Sequence, residues 1–183
     1  MSKHPAIFLD RDGVIIENRA NYVRSWDDVE FYEQALTALA QIRHSPYKII
    51  VVTNQSAVGR GLITLEQANL INEQVVEVVR ATNGRIDAVY LCPHAPHDNC
   101  NCRKPQPGLL LQAAAELQLD LSQSFMIGDA LTDVQAGLAA QVQQTALLLT
   151  GRGLPQSQLP AASRLAPLNI FADLATALAK LLP

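Results

Sequence analysis

Five short apolar runs, Ala6–Leu9, Lys48–Val52, Ile86–Leu91, Ser124–Ile127 and Thr145–Leu149, lack the polar alternation of a half-exposed strand. Strands of that kind are covered on both faces, which a parallel sheet layered between helices provides. The intervening segments supply those helices: Glu33–Ile42, Leu65–Ala81, Gly108–Leu117 and Thr132–Ala140, with Phe171–Leu182 as the last. Thr64 followed by Gln67 is a capping-box signature for the second of them. The alternation predicts an α/β fold with a mostly parallel sheet, helices on both faces and right-handed crossovers. The 183 residues suit one domain, 1–183, and Thr150–Ala162, with its Gly, Gln, Ser and Pro, is expected as a surface loop within it.

Three of the predicted strands end in a polar residue where the chain turns: Leu9-Asp10, Val52-Thr53 and Gly128-Asp129. Ligands of open parallel sheets bind outside the carboxyl ends of the strands, so these residues are candidates for one crevice. Asp and Thr are also common in turns and helix N-caps, and any one of the three alone carries no function. Asp12, in Asp10-Arg11-Asp12-Gly13, and Lys104 change that balance. An ionised Asp10 can attack phosphorus to form an aspartyl-phosphate, while Asp12 protonates the leaving oxygen and then activates water. A phosphoryl group does not approach bare carboxylates, so cations are required. Asp10 and Asp129 offer hard oxygens to Mg²⁺, Lys104 adds a positive charge, and Thr53 with the amides after it can hold phosphate oxygens.

Charge and hydropathy narrow the partners. Fourteen Lys and Arg against seventeen Asp and Glu leave a net charge of −3. General nucleic-acid and anionic-membrane binders carry the opposite excess, so neither partner is expected. No run approaches the roughly 18 to 20 apolar residues of a membrane helix. The apolar stretch after Met-Ser-Lys-His-Pro is too short for a signal-peptide core, so the chain is expected in a reducing cytoplasm, as a monomer.

In that compartment clustered cysteines point to metal rather than disulfides. Cys92-Pro93-His94, five residues, then Cys100-Asn101-Cys102 give three thiolates and an imidazole, a donor set suited to a closed tetrahedral Zn²⁺ site in the loop 92–102. Buried thiols with an incidental histidine are the plain alternative, and His97 is a rival ligand inside the connecting loop. Arg103 and Lys104 follow at once, so a metal here would order the backbone that carries two cations.

Asp10-Arg11-Asp12-Gly13-Val14, Thr53-Asn54-Gln55-Ser56, Arg103-Lys104-Pro105 and Gly128-Asp129 with Asp133 resemble, in order, the four motifs of the haloacid-dehalogenase-like phosphohydrolases. The resemblance implies a Rossmann-like sheet, Asp10 as nucleophile, Asp12 as general acid/base and the Asp12 backbone carbonyl on Mg²⁺. It further implies Thr53 and Lys104 on the phosphate and Asp129 on the metal. Asp133 fits the trailing acidic position of the last motif, beside the reading of a helix-surface carboxylate. The Cys-x-His and Cys-x-Cys loop leading into Arg103-Lys104-Pro105 is similar to that of the heptose bisphosphate phosphatases and the related histidinol-phosphate phosphatases. That likeness extends through Thr53, Asn54, Gln55 and Ser56 and through Gly59-Arg60-Gly61, and implies Arg60 and Arg103 as contacts to a phosphorylated sugar. The family's Gly-Tyr segment after the first motif reads here Glu17-Asn18-Arg19-Ala20-Asn21-Tyr22-Val23, where Tyr22 still matches.

Spacing limits any lid. Forty residues separate Asp12 from Thr53 and fifty separate Thr53 from Lys104, and each interval must already hold a helix and a strand. No separate cap domain of the usual ~50 or more residues fits. Water exclusion is expected from residues 17–26 and the zinc loop. Three other readings remain: a histidinol-phosphate phosphatase, a nucleic-acid 3′-phosphatase, which the acidic balance disfavours, and a phospho-accepting signalling domain. The last carries its phosphorylated Asp in mid-chain and has no such cysteine loop.

Overall fold

Ala6–Leu9 is fully buried and forms strand β1 at the centre of a parallel sheet. The computed structural model describes residues 3–165 and 167–182. Chain order runs β1, α1 (Glu33–Gln41), β2 (Lys48–Asn54), α2 (Ser56–Gly59), α3 (Leu65–Ala81) and β3 (Ala88–Cys92). It continues with α4 (Gly108–Glu116), β4 (Phe125–Gly128), α5 (Leu131–Ala139), β5 (Gln144–Leu148), α6 (Gly153–Ser157), α7 (Pro160–Ser163), β6 (Asn169–Phe171) and α8 (Leu174–Leu181). Among the described residues the six strands lie in the order β3-β2-β1-β4-β5-β6, every pair parallel.

Successive side chains of β1 point to opposite faces, and each face has its own helices. Ile7 and Leu9 pack with Ile49, Val51 and Ile127 against α1, α3 and α8. Ala6 and Phe8 pack with Ile50, Val52 and Met126 against α4 and α5. Burying a side chain such as Phe8 contributes roughly 1.5–3 kcal/mol, so a strand apolar on both faces is stable only in this central position. The predicted capping box is present: Gln67 N donates to Thr64 Oγ1 at 3.1 Å, and Thr64 N donates to Gln67 Oε1 at 2.8 Å.

The chain departs from the sequence expectation after residue 149. Thr150–Ala162 is not a plain surface loop; it holds α6 and α7, and Gly153 and Ala162 are buried. Phe171 does not start a helix: it ends β6, opposite Leu148. Helix α8 begins at Leu174, after Asp173, whose Oδ1 accepts from Thr176 N at 2.8 Å. Among the described residues no helix is long and apolar enough to cross a membrane.

The order of the strands changes direction at β1. From β1 the chain moves outward through β2 to β3, whereas β4 lies on the other side of β1 and leads away through β5 to β6. Leu9 is level with both Val51 and Ile127, so Asp10 emerges at the carboxyl edge between β2 and β4. Such a reversal is where open α/β sheets leave a crevice.

Candidate active site

The crevice is a cleft of about 900 Å³ over the carboxyl ends of β1, β2 and β4. Of the residues singled out in the sequence, Asp10, Asp12, Asn54, Gln55, Ser56, Arg60, Arg103 and Lys104 line it. Thr53 and Asp129, both fully buried, lie in the wall beneath. Residues 17–26 and the cysteine loop both contribute to the lining of the cleft: Asn18, Arg19 and Tyr22 from the first, Pro96, Asn99 and Cys100 from the second.

Lys104 is the centre of the charge arrangement. Its ammonium lies 3.0 Å from Asp10 Oδ1 and 2.7 Å from Asp133 Oδ1, and donates to the Val52 carbonyl at 2.8 Å. All three of its hydrogens are thereby engaged, so a phosphoryl oxygen bonds to it only by displacing one acceptor. Burial alone would pull the Lys104 pKa down, but the Asp10 and Asp133 carboxylates outweigh it and hold it above the ordinary lysine value. The backbone of Lys104 is fixed by Asn54, whose amide donates to its carbonyl at 3.0 Å and accepts from its N–H at 3.1 Å. Asn54 therefore positions a cation.

Asp10 Oδ1 also accepts from Arg11 N at 2.8 Å. Burial pushes the Asp10 pKa up to about 6, with Lys104 pulling the other way and Asp133 and Asp12 adding to the rise. Asp129 is raised as well, by burial and then by the charge of Asp10, against the opposing pull of Arg152. A hard divalent cation would reverse both rises. Carboxylate oxygens of Asp10, Asp129 and Asp133 all lie within 4.8 Å of one another, a donor set that suits Mg²⁺. Gly13, at φ +84°, admits this arrangement: a Cβ there would collide with the Asp129 carboxylate.

Of the two sequence readings of Asp133, its burial favours the trailing acidic position of the last motif over a helix-surface carboxylate. Asp133 is 1% exposed, pairs with Lys104, and its Oδ2 accepts from Ala130 N at 3.0 Å at the start of α5. Two further residues of the site escape sequence reasoning. Arg152 lies over Asp129: its N–H donates to Oδ2 at 2.8 Å and its guanidinium reaches Oδ1 at 3.4 Å, with Asn18 Nδ2 at 3.3 Å from the same Oδ2. It sits in the stretch expected to be a loop. Arg11 is 1% exposed and grips Asp12, and its only sequence signal is its place between two carboxylates.

The cysteine cluster closes as its spacing implies. Cys92 Sγ is 3.6 Å from Cys100 Sγ and 3.1 Å from Cys102 Sγ, and His94 Nδ1 is 3.2 Å from Cys102 Sγ. A tetrahedral Zn–S₃N centre has S···S edges of about 3.8 Å; the 3.6 Å edge and the 3.5 Å edge between Cys100 and Cys102 come near it, and the 3.1 Å edge is shorter. His97, the rival, points away: its side chain is 77% exposed, 3.5 Å from Asp98. The cluster is joined to the cleft at two points. Arg103 Nη1 donates to the His94 carbonyl at 3.1 Å, and Gln55 N donates to the Cys92 carbonyl at 2.8 Å.

Known proteins resemble this chain in sequence and in fold. A family model described as HAD-hydrolase-like matches residues 101–177. The D-glycero-beta-D-manno-heptose-1,7-bisphosphate 7-phosphatase of Helicobacter pylori strain 26695 is 42% identical over 150 residues, covering 81% of this chain and 86% of that protein. The enzyme of the same name from Escherichia coli K12 is 37% identical over 183 residues, covering 96% and 94%. Among solved structures, the D,D-heptose 1,7-bisphosphate phosphatase of B. bronchiseptica, complexed with magnesium and phosphate, superposes with a TM-score of 0.87 at 33% identity, covering 97% of this chain and 98% of that one.

Proposed function

The chain belongs to the D-glycero-D-manno-heptose 1,7-bisphosphate phosphatases of the haloacid-dehalogenase-like hydrolases, and from that membership we propose roles for the residues of its cleft. It is a Mg²⁺-dependent phosphatase that hydrolyses the position 7 phosphate of the heptose bisphosphate. The observation that carries the assignment of roles is the placement of Asp10 at the switch point, 3.0 Å from a buried ammonium.

Asp10 attacks phosphorus in line with the ester oxygen. As the Asp10–phosphorus bond forms, the bond to the sugar oxygen breaks and Asp12 gives that oxygen its proton. Water then attacks the aspartyl-phosphate, Asp12 takes the proton of that water, and inorganic phosphate leaves with Asp10 regenerated. Asp10, Asp129 and the Asp12 carbonyl would hold the Mg²⁺, which supplies charge neutralisation at the transferring group. Lys104 holds one oxygen of Asp10, leaving the other to attack. Thr53, Gln55 and Ser56 form the floor under the phosphoryl group, where Gln55 Nε2 ties Thr53 Oγ1, at 2.8 Å, to Asp12 Oδ2, at 2.9 Å.

Arg60 and Arg103 stand beyond the single cation that one transferred phosphoryl group requires, and we assign them to the second phosphate. Arg60→Ala or Arg103→Ala should narrow the kcat/KM preference for bisphosphate over the matching monophosphate by roughly tenfold or more, as loss of one charge-assisted contact of ~1.5–3 kcal/mol predicts. The comparison runs over heptose bisphosphate, its monophosphate and histidinol phosphate. A wild-type preference for histidinol phosphate would overturn the substrate while leaving the phosphatase chemistry standing.

Cys92, His94, Cys100 and Cys102 are proposed to hold one structural Zn²⁺. Elemental analysis of purified protein should find one zinc per chain, and Cys100→Ser should lose it together with most of the bisphosphate preference, since His94 anchors Arg103. Metal-free protein with full activity and unchanged preference would remove the assignment.

A further inference from the structure

Arg11 is a guanidinium sealed inside the protein, at 1% exposure, and the proposed reaction gives it no task. Its planar fork closes on one carboxylate. Nε and Nη2 lie 3.2 and 3.0 Å from Asp12 Oδ2, and Nη2 lies 3.2 Å from Oδ1. From behind, Nη1 donates to Asn72 Oδ1 at 2.7 Å, across 61 residues of sequence, from the middle of α3. Guanidinium nitrogens only donate, so the Asn72 amide must present its oxygen to Arg11. That orientation leaves Asn72 Nδ2 buried with no partner among the described residues. An unpaired buried donor and a buried charge both cost stability. An apolar pair of similar volume would carry neither cost.

We propose that Arg11, braced by Asn72, is a positioning residue that fixes the Asp12 carboxylate in the orientation from which it protonates the leaving oxygen; this rests on the reading of Asp12 as general acid. The geometry supports an anchored and a free oxygen. Asp12 Oδ2 receives Arg11 Nε, Arg11 Nη2 and Gln55 Nε2, whereas Oδ1 receives one donor at 3.2 Å. The carboxylate is pinned through Oδ2, and its less-engaged oxygen is available to the substrate. Displacing a catalytic group by about 1 Å costs on the order of a hundredfold, so a brace reaching from a distant helix has a kinetic consequence.

Leaving-group dependence tests this. A sugar alkoxide needs a proton to depart, whereas p-nitrophenolate leaves without one, and kcat/KM for both covers binding through phosphoryl transfer and excludes the later hydrolysis of the aspartyl-phosphate. Arg11→Met should lower kcat/KM for heptose bisphosphate at least about tenfold more than for p-nitrophenyl phosphate, within the 10²–10⁴ that general acid catalysis supplies. Asn72→Leu should shift the ratio the same way by less. In an Asp12→Asn background, Arg11→Met should leave the ratio where Asp12→Asn alone has put it. Equal losses on the two substrates in Arg11→Met and Asn72→Leu would mark a merely structural role and overturn the proposal. Should Arg11→Met fail to fold, the ratio in Asn72→Leu decides. An unchanged ratio in Asp12→Asn itself would instead remove the general-acid reading, and the proposal with it.

Discussion

Asp10→Asn is expected to lower kcat for heptose bisphosphate by a thousandfold or more, about 4 kcal/mol of barrier, while the folded protein keeps or gains thermal stability. The activity loss comes from exchanging an attacking oxygen and a metal-facing carboxylate for an amide of nearly equal volume. The stability result comes from the electrostatics. Asp10 is 5% exposed and its carboxylate lies in the cluster with Asp129 and Asp133, where burial has pushed its pKa up to about 6. A raised carboxylate pKa means that ionisation is disfavoured in the folded, metal-free protein, so removing the charge relieves a penalty. Steady-state kinetics and thermal melts in chelator check the two halves. Retention of a tenth of wild-type kcat would end the assignment of Asp10 as nucleophile, and a melting temperature several degrees lower would contradict the electrostatic account.

Lys104→Met is expected to give the opposite stability sign with a comparable kinetic loss. Asp10 and Asp133 would then share a dry site without the ammonium that lies 3.0 and 2.7 Å from them. Removing one partner of a buried ion pair typically costs about 3–5 kcal/mol, so a large fall in melting temperature accompanies the fall in kcat. Stability and chemistry separate in Lys104→Met/Asp133→Asn: deleting one carboxylate along with the ammonium should recover much of the melting temperature without activity, because Asp10 still lacks its cation. If the double variant recovered activity as well, Lys104 would be a structural counter-ion only.

The central strands and the Thr53 turn are legible in the sequence because their signals are local. A run such as Ile49–Val52 carries its burial on both faces in its own composition, and the cysteine loop carries its donors at fixed spacing. β6 is not legible, since three residues, Asn169–Phe171, are too few to show a period and form a strand only because β5 is there to pair with. The burial of Arg11 depends on Asn72, and that of Asp133 on Lys104, in each case a partner brought from another part of the chain. Charged residues at such positions look like surface residues until the sheet is assembled. Arg152 is hidden for a related reason: a short Gly-containing stretch resembles a linker, yet the pairing of β5 beside β4 carries it over Asp129.

The reversal of strand order at β1 also bears on the chain as it emerges from the ribosome. β1, β2 and β3 are complete by residue 92, and they bring together Asp10, the Thr53 turn and the first thiolate of the cysteine cluster. β4 begins at Phe125 and fills the other side of β1, so until then the central strand of the finished sheet is an open edge. An apolar, unpaired edge is a template for pairing with another chain, and long-range parallel pairing forms slowly. Nascent chains that have emerged past residue 92 but not past residue 125 should therefore be the ones that aggregate or recruit chaperones, a vulnerability that ends when Phe125–Ile127 docks beside Ile7–Leu9.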